Sequence, residues 1–474
     1  MFTLDEITQS INGRSHGSVR VAFNEAVIDS RAAVKNTLFV AIPGENTDGH
    51  KFVASAFAKG AAAALIQEDI EGDYPCLDLR KDHSEWGGVD VKTPFCIRVE
   101  NTIEALQKIA SFHRGNLPKM EVIGLTGSVG KTTTKELVSQ VLSERFNTLK
   151  TAGNMNNEIG LPLTLLRADG KTEKAVLEMG FYVPGEIRFL CNIANPRIGI
   201  ITNVGMVHAS RAGSMEVIAQ GKRELVEELP EDGVAILNYD DPYVRSMADF
   251  SKARVFTYGM DPKADLWADD VESFGLEGIR FTLHYQKETH LMKAPLIGRH
   301  SVLTALRAVS LGLIAGMTWE EILKGIRHGE TQLRLTVEHT AEGATIIDDT
   351  YNASPESTLA ALNLLAEIPG RRVAVLGDMR ELGQYERKGH EMVGIRAAAV
   401  CDELIAVGTA SKMLAEAALS AGMESLKVHW FAEVPEVIEY MMMHKPQKTD
   451  IILVKGSRSL QMERITKALE ARDD

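Results

Sequence analysis

Short apolar runs rich in valine, isoleucine and leucine alternate with longer stretches of helical periodicity, and this alternation restricts the fold more than any other feature of the chain. TLFVAIPG, GAAAALIQ, KAVLEMG, RIGIITNVG, GVAILNYDD and ARVFTYG read as strands, followed later by ATIIDDTYN, RRVAVLGDM, DELIAVG, LKVHWF and DIILVKGS. Helical patterns such as TIEALQKIASFHR lie between them, and such a chain layers helices on parallel sheets. Residues 265–296 break the rule, alternating polar and apolar like antiparallel strands before the helix SVLTALRAVSLGLIAG. At 474 residues the chain exceeds one ordinary core. Breaks near 118 and 332 suggest three α/β domains, 1–118, 119–331 and 332–474, the last a second doubly wound, Rossmann-like sheet.

A net charge of −13 argues against a nucleic-acid binder with a broad basic face. No uncharged apolar stretch reaches the length of a membrane span, and MFTLDEITQSINGR has acids where a secretory leader needs a basic start. The four cysteines, Cys76, Cys96, Cys191 and Cys401, show no metal-ligand spacing and suit a reducing compartment. The expectation is a cytoplasmic protein, a monomer, with neither nucleic acid nor membrane as partner.

GLTGSVGKTTTKE, residues 124–136, carries the clearest chemistry. VIGLTG reads as a buried strand and TTTKELVSQVLSERF as a helix burying Leu137, Val138, Val141, Leu142 and Phe146. A strand, glycine turn and helix start aim amides and the helix dipole at an anion. Gly127, Ser128, Val129, Gly130, Lys131, Thr132 and Thr133 are the candidate nucleotide contacts, with Lys131 on the β/γ-phosphates and Thr132 on Mg²⁺. The strict phosphate-loop pattern wants glycine at 125, where Leu125 stands between Gly124 and Gly127. An ordinary strand-to-helix turn is the bland alternative, which the strand context and Lys-Thr pair disfavour. No Asn-Lys-x-Asp guanine reader follows, and the His-Arg-Asp and Asp-Phe-Gly set of protein kinases is absent.

Three residues follow the loop in strand–loop order: Glu178 at the end of AVLEMG, His208 in ITNVGMVHASRAGS, and Lys222 in the helical MEVIAQGKRELVEEL. Singly each has a plain reading: a helix cap, a structural histidine, a solvated lysine. In series behind a phosphate loop they read as a site.

TGSVGKTTTKE, GNMNNEIGLPLTLL, VLEMG and TNVGMVH resemble the corresponding segments of the Mur ligases, ATP-dependent amide-forming enzymes of peptidoglycan precursor synthesis, themselves similar to folylpolyglutamate synthase. DDTYNASPES, VLGDMRELG and LVKGSRSLQME resemble the branch joining D-alanyl-D-alanine to UDP-N-acetylmuramoyl-tripeptide (UDP-MurNAc-tripeptide). The branch that adds lysine or diaminopimelate carries an Asp-Tyr-Ala-His-Thr-Pro type segment instead and is the alternative. A nucleotide-gated scaffold is the rival from another class, and it has no use for the Glu178–His208–Lys222 series.

The resemblance implies that 1–118 binds the UDP-muramoyl moiety through Ser30, Arg31 and the turn Thr47, Asp48, Gly49 and His50. A plain exposed loop is the other reading of Ser30–Arg31. It implies Asn156 and Asn157 at the substrate, Arg334 on the phosphates, Asp349 toward the ribose, and Tyr351 and Asn352 beside the dipeptide. Asp348–Asp349 also suits a helix cap, and Lys455 and Arg458 suit either an anion nest or exposed charge. The resemblance further implies ATP, two Mg²⁺ ions, and a Lys222 carbamylated by CO₂. One metal falls to Thr132 and Glu178, the other to His208 and the carbamate. After LIGRH the family has a His-Asn pair and a further Asn at the nucleotide base, where this chain has Ser301 and Thr304, hydroxyls without an amide's paired donor and acceptor.

Overall fold

The structure, a computed structural model, describes residues 1–16, 21–44, 47–81, 86, 92–207, 209–327 and 336–470. The chain's contacts gather into two compact units: Met1–Leu125 with Phe146–Gly180 and Gly185–Ile198, and Thr126–Arg145 with Phe181–Pro184 and Gly199–Asp474.

The first unit holds a five-stranded parallel sheet in the order Glu25–Val27, Thr37–Val40, Ala63–Ile66, Phe95–Arg98, Cys76–Asp78. Thr37–Val40 and Ala63–Ile66 are buried along their whole length, as strands covered on both faces must be. The helix Leu4–Asn12 begins with Thr3 and Glu6 in a reciprocal capping box and ends on Gly13 at φ 69°. Glu6 also reaches His113 and Asn116, at 3.3 and 2.9 Å, fixing that helix to Thr102–Gly115. In the same unit Lys174–Glu178 lies parallel to both Glu121–Thr126 and Thr148–Lys150, pairing Glu178 with Leu125. Cys76 and Cys96, distant in sequence, face each other across neighbouring strands as free thiols. Burial pushes the Cys96 thiol up to about 12, so it is not a reactive group.

In the second unit the strand order is Ile198–Ile201, Val234–Asn238, Arg254–Gly259, Leu266–Ser273, Ile279–Tyr285, Glu288–Ala294. Val234–Asn238, Arg254–Gly259 and Leu266–Ser273 run parallel, and the last two strands turn back antiparallel, as the alternation over 265–296 predicts. A six-stranded sheet completes the unit, ordered Thr336–His339, Thr345–Asp348, Asp450–Lys455, Arg371–Gly377, Glu403–Val407, Val428–Phe431. All of it is parallel except Thr336–His339, an edge strand the sequence reading missed. Helices Pro355–Glu367, Glu386–Val400 and Ser411–Ser420 build one core against this sheet. Val434–Met443 and Glu463–Leu469 build a second, which is the doubly wound arrangement expected.

The edge strand brings Glu338 against Glu470, and the hydrogen bond between the two carboxyls, helped by burial, holds a proton on Glu338 and raises its pKa to about 7. A carboxyl with a raised folded-state pKa stabilises the fold below the ordinary glutamate range and loses that contribution as pH rises through about 7. Glu338→Gln is therefore expected to flatten the fall in thermal stability between pH 5 and 8, measured by melting across that range.

Candidate active site

In the second unit Gly127 and Gly130 bend the chain from strand to helix at φ 148° and 83°. Gly127 leaves no room for a side chain, because a Cβ there would lie 1.8 Å from Thr202 Oγ1. The following segment templates the loop. Ser128 N–H donates to Asn203 O at 2.9 Å, and Val129 N–H to Asn203 Oδ1 at 2.9 Å. Asn203 Nδ2 and the Thr202 hydroxyl return bonds to Val129 O at 2.9 and 2.8 Å. Gly205 N–H donates to Ser128 Oγ at 2.8 Å. Ser128 and Val129 thus direct their amides inward at Asn203. The anion-facing end is the start of helix Lys131–Ser143, capped only by Gly130, where the helix dipole is positive. Lys131 Nζ folds back on Gly127 O and Ser128 O at 2.7 and 3.2 Å. Leu137, Val138, Val141 and Leu142 are buried as expected, but Phe146 lies beyond the helix and only half-buried.

Beneath this helix lies a cation that sequence reasoning passed over. Arg307, buried in Val302–Ile314, donates through Nη1 to Thr134 Oγ1 at 2.7 Å and through Nε to the Tyr258 hydroxyl at 2.7 Å. The Tyr258 hydroxyl in turn donates to Ile201 O and Thr202 O. An arginine amid an otherwise apolar helix was the available signal. Ser301 and Thr304 are buried at the start of the same helix. The Ser301 hydroxyl donates to Ile297 O at 2.6 Å, and the Thr304 hydroxyl accepts from Arg307 at 3.3 Å.

Lys222, from the helix Met215–Glu227, is fully buried, which overturns the surface-lysine alternative. Its Nζ has no hydrogen-bond partner among the described residues and lies 4.8 Å from the centre of the Phe181 ring. Gly221 lets that ring in, since a Cβ there would meet it at 2.0 Å. Burial pushes the Lys222 amine well below the ordinary lysine value, and the Lys131 charge adds to the shift. His208 and Arg334 lie outside the described residues.

In the first unit Glu178 is buried at its strand end and caps no helix. Its Oε1 accepts from Asn156 Nδ2 at 2.9 Å, and its N–H donates to Thr151 Oγ1 at 3.0 Å. Register sets it beside Leu125, the residue before the phosphate loop begins. Asn157 Oδ1 accepts at 2.9 Å from the N–H of Gly160, the first residue of the following helix. Ser30 is buried in the short turn Ser30–Ala32 and so is not the plain exposed loop. Arg31 is exposed and paired with Asp29, whose carboxyl it holds down at about 2. Thr47 is exposed, while Gly49 packs so tightly that a Cβ would lie 2.7 Å from Ile42 N. Asp48 and His50 serve the loop itself. Asp48 Oδ1 accepts from His50 N–H and Nδ1, and His50 Nε2 accepts from the Gln67 and Glu68 amides. Asp48, His50 and Glu68 form the one cluster of metal-ligand spacing among the described residues, and its imidazole lone pair is already committed to the Gln67 and Glu68 amides.

In the six-stranded sheet, Asp349 Oδ2 pairs with buried Lys455 at 2.7 Å, and Lys455 also donates to Asn352 O at 2.8 Å. Lys455 is therefore neither exposed nor an open anion nest. Asp348 accepts from Thr350 and Thr466, and the cap of the next helix is Ser354, which removes the helix-cap reading of the acid pair. Tyr351 lies under the exposed Arg458 guanidinium, 5.4 Å from ring centre to Cζ.

A phosphate-type loop, a buried carboxylate at a strand end, a buried lysine without a hydrogen-bond partner among the described residues and a Rossmann-like sheet, all in one chain, define a nucleotide-dependent ligase class. Residues 125–312 match the Mur ligase middle domain, 333–458 the Mur ligase glutamate ligase domain and 24–114 the Mur ligase catalytic domain. The UDP-N-acetylmuramoyl-tripeptide–D-alanyl-D-alanine ligase of Bacillus subtilis is 36% identical over 445 residues, covering 93% of this chain and 92% of its own. A crystal structure of MurF from Acinetobacter baumannii superposes with a TM-score of 0.82 at 29% identity, covering 99% and 98% of the two chains. MurF ligase from Thermotoga maritima, solved in complex with ADP, gives 0.77 at 27% identity over 94% and 96%. The chain belongs to the Mur ligase family.

Proposed function

We propose that the protein joins D-alanyl-D-alanine to UDP-MurNAc-tripeptide at the expense of ATP. The near full-length likeness to the Bacillus subtilis ligase carries this reading. The relative that binds ADP supports the nucleotide. The tripeptide's terminal carboxylate takes the γ-phosphoryl group, the amine of D-alanyl-D-alanine attacks the resulting acyl phosphate, and phosphate leaves. Activation is needed because a carboxylate oxygen is a poor leaving group.

The chain's own groups divide the work. Lys131 and the helix start at Gly130–Thr133 hold the β- and γ-phosphates and stabilise the charge that spreads over the transferring group. The resemblance assigns Glu178, held by Asn156, and Thr132 to one Mg²⁺. Lys222 as its carbamate, with His208, suits a second. Bound Mg²⁺ supplies positive charge between two anions that would otherwise repel, the carboxylate and the phosphoryl group. The unpartnered Lys222 amine supports carbamylation, because burial disfavours its charged form, CO₂ adds to the uncharged amine, and the product turns an orphaned nitrogen into an anionic ligand. Asp349, Tyr351 and Asn352 serve the ribose and dipeptide side, with Asp349 oriented by Lys455. Ser30, Arg31 and the turn at residues 47–50 form the UDP-muramoyl side. The resemblance alone supports the roles of His208 and Arg334.

With UDP-MurNAc-tripeptide and ATP, phosphate release is expected only when D-alanyl-D-alanine is added, and mass spectrometry should find that dipeptide in the product. Phosphate release without any amine, or product formed only from lysine or diaminopimelate on UDP-MurNAc-dipeptide, contradicts the reading.

A further inference from the structure

Asn203–Met206, which templates the phosphate loop, is gripped from the other side by the six-stranded part of the unit. Met206 N–H donates to Glu356 Oε1 at 3.0 Å, and the Met206 side chain packs against the core under helix Pro355–Glu367. Glu356 sits in the first turn of that helix, two residues after the Ser354 cap, where the helix dipole favours a carboxylate. Two further bonds run parallel: Ser210 N–H to Glu381 O at 3.1 Å, and Gln384 Nε2 to Gly213 O at 2.9 Å. These two use backbone carbonyls, so Glu356 is the only side-chain acceptor of the three. Gly205 makes the approach possible, since a Cβ there would lie 2.8 Å from Glu356 Oε1. The second carboxylate oxygen is buried without a partner among the described residues. Burying it so is costly and is offset only by what the rest of the contact achieves.

We propose that Glu356 is a positioning residue that couples docking of the C-terminal sheet to the shape of the phosphate loop. The path is short: Glu356 fixes the Met206 amide, the adjacent Gly205 holds Ser128 through its N–H and carbonyl, and Asn203 holds Ser128 and Val129. Docking through Glu356 sets the loop that must meet the transferring phosphoryl group, so the chemical step waits on closure. This rests on the ligase reading above.

The test uses the full chain. Glu356→Ala should lower kcat by roughly 10²-fold, the cost of misplacing reacting groups by about an ångström, while leaving KM for ATP nearly unchanged. Glu356→Gln keeps an acceptor for Met206 N–H and should restore most of kcat. Gly205→Ala, which displaces only the carboxylate, should match Glu356→Ala, and the double variant should be no slower than either. Amide hydrogen exchange at Ser128, Val129 and Met206 should rise in Glu356→Ala whether or not the chain ligates. Unchanged kcat in Glu356→Ala, a Glu356→Gln as slow as Glu356→Ala, multiplicative losses in the double variant, or unchanged exchange overturns the proposal. A wild-type chain that makes no ligation product overturns the ligase reading instead, and the exchange data still decide the latch.

Discussion

Lys222→Ala is expected to abolish ligation, with a loss of roughly 10²–10³-fold or more, the scale of removing one preorganised electrostatic group from a reaction centre. Nucleotide affinity should stay nearly unchanged, because the groups proposed to hold phosphate, Lys131 and the helix start at Gly130–Thr133, remain in place. The expectation follows from the burial of the amine, its missing partner and its depressed basicity. Two controls separate chemistry from folding. Lys222→Met removes an unsatisfied buried nitrogen and should make the protein more stable, by ~1–3 kcal/mol, while leaving it inactive. Removing dissolved CO₂ should lower wild-type activity and bicarbonate should restore it, with the mass of one CO₂ gained in native mass spectrometry. A Lys222→Ala enzyme that turns over normally removes the carbamate from the account.

Gly127→Ala should be nearly as damaging, and for a different reason. At φ 148° an alanine is strained, and its methyl would occupy the Thr202 hydroxyl position. That hydroxyl holds Val129 O, so the loop must give way where Asn203 and Thr202 shape it. Strain and overpacking together should destabilise the protein by about 2–4 kcal/mol and weaken ATP binding, read by thermal melting and calorimetry. Gly205→Ala has no such backbone penalty and should leave melting nearly intact, which distinguishes the two glycines. Equal ATP affinity in Gly127→Ala and wild type would show that the loop does not hold the nucleotide.

Parts of this arrangement were legible because local chemistry and global role coincide. The strand, glycine turn and helix at 121–143 follow from apolar runs punctuated by Gly127 and Gly130, and the antiparallel segment follows from its alternation. Glu178 was singled out because an acid at a strand end can reach a Mg²⁺ ion, and its burial at that strand end fits the strand assignment. The burial of Lys222 was not found, since its neighbours Lys222-Arg223-Glu224 read as a solvated face. The periodicity held the missing signal: Ile218, Lys222 and Leu225 share one buried stripe. Asp48, His50 and Asn157, read as substrate contacts, also hold their own turns through hydrogen bonds, a role that sequence spacing alone does not show. Asn203 and Glu356 act through tertiary contacts to Val129 and Met206, far away in sequence, and no local pattern marks them. The short strands Glu25–Val27 and Cys76–Asp78 escaped because three residues carry too little periodicity.

The central claim is that the peptide carboxylate is activated as an acyl phosphate, which the amine then attacks. UDP-MurNAc-tripeptide carrying heavy oxygen in its terminal carboxylate tests this directly: after one turnover with ATP and D-alanyl-D-alanine, one labelled oxygen should appear in the released inorganic phosphate. Phosphate free of label, with ligation product formed, would contradict the account.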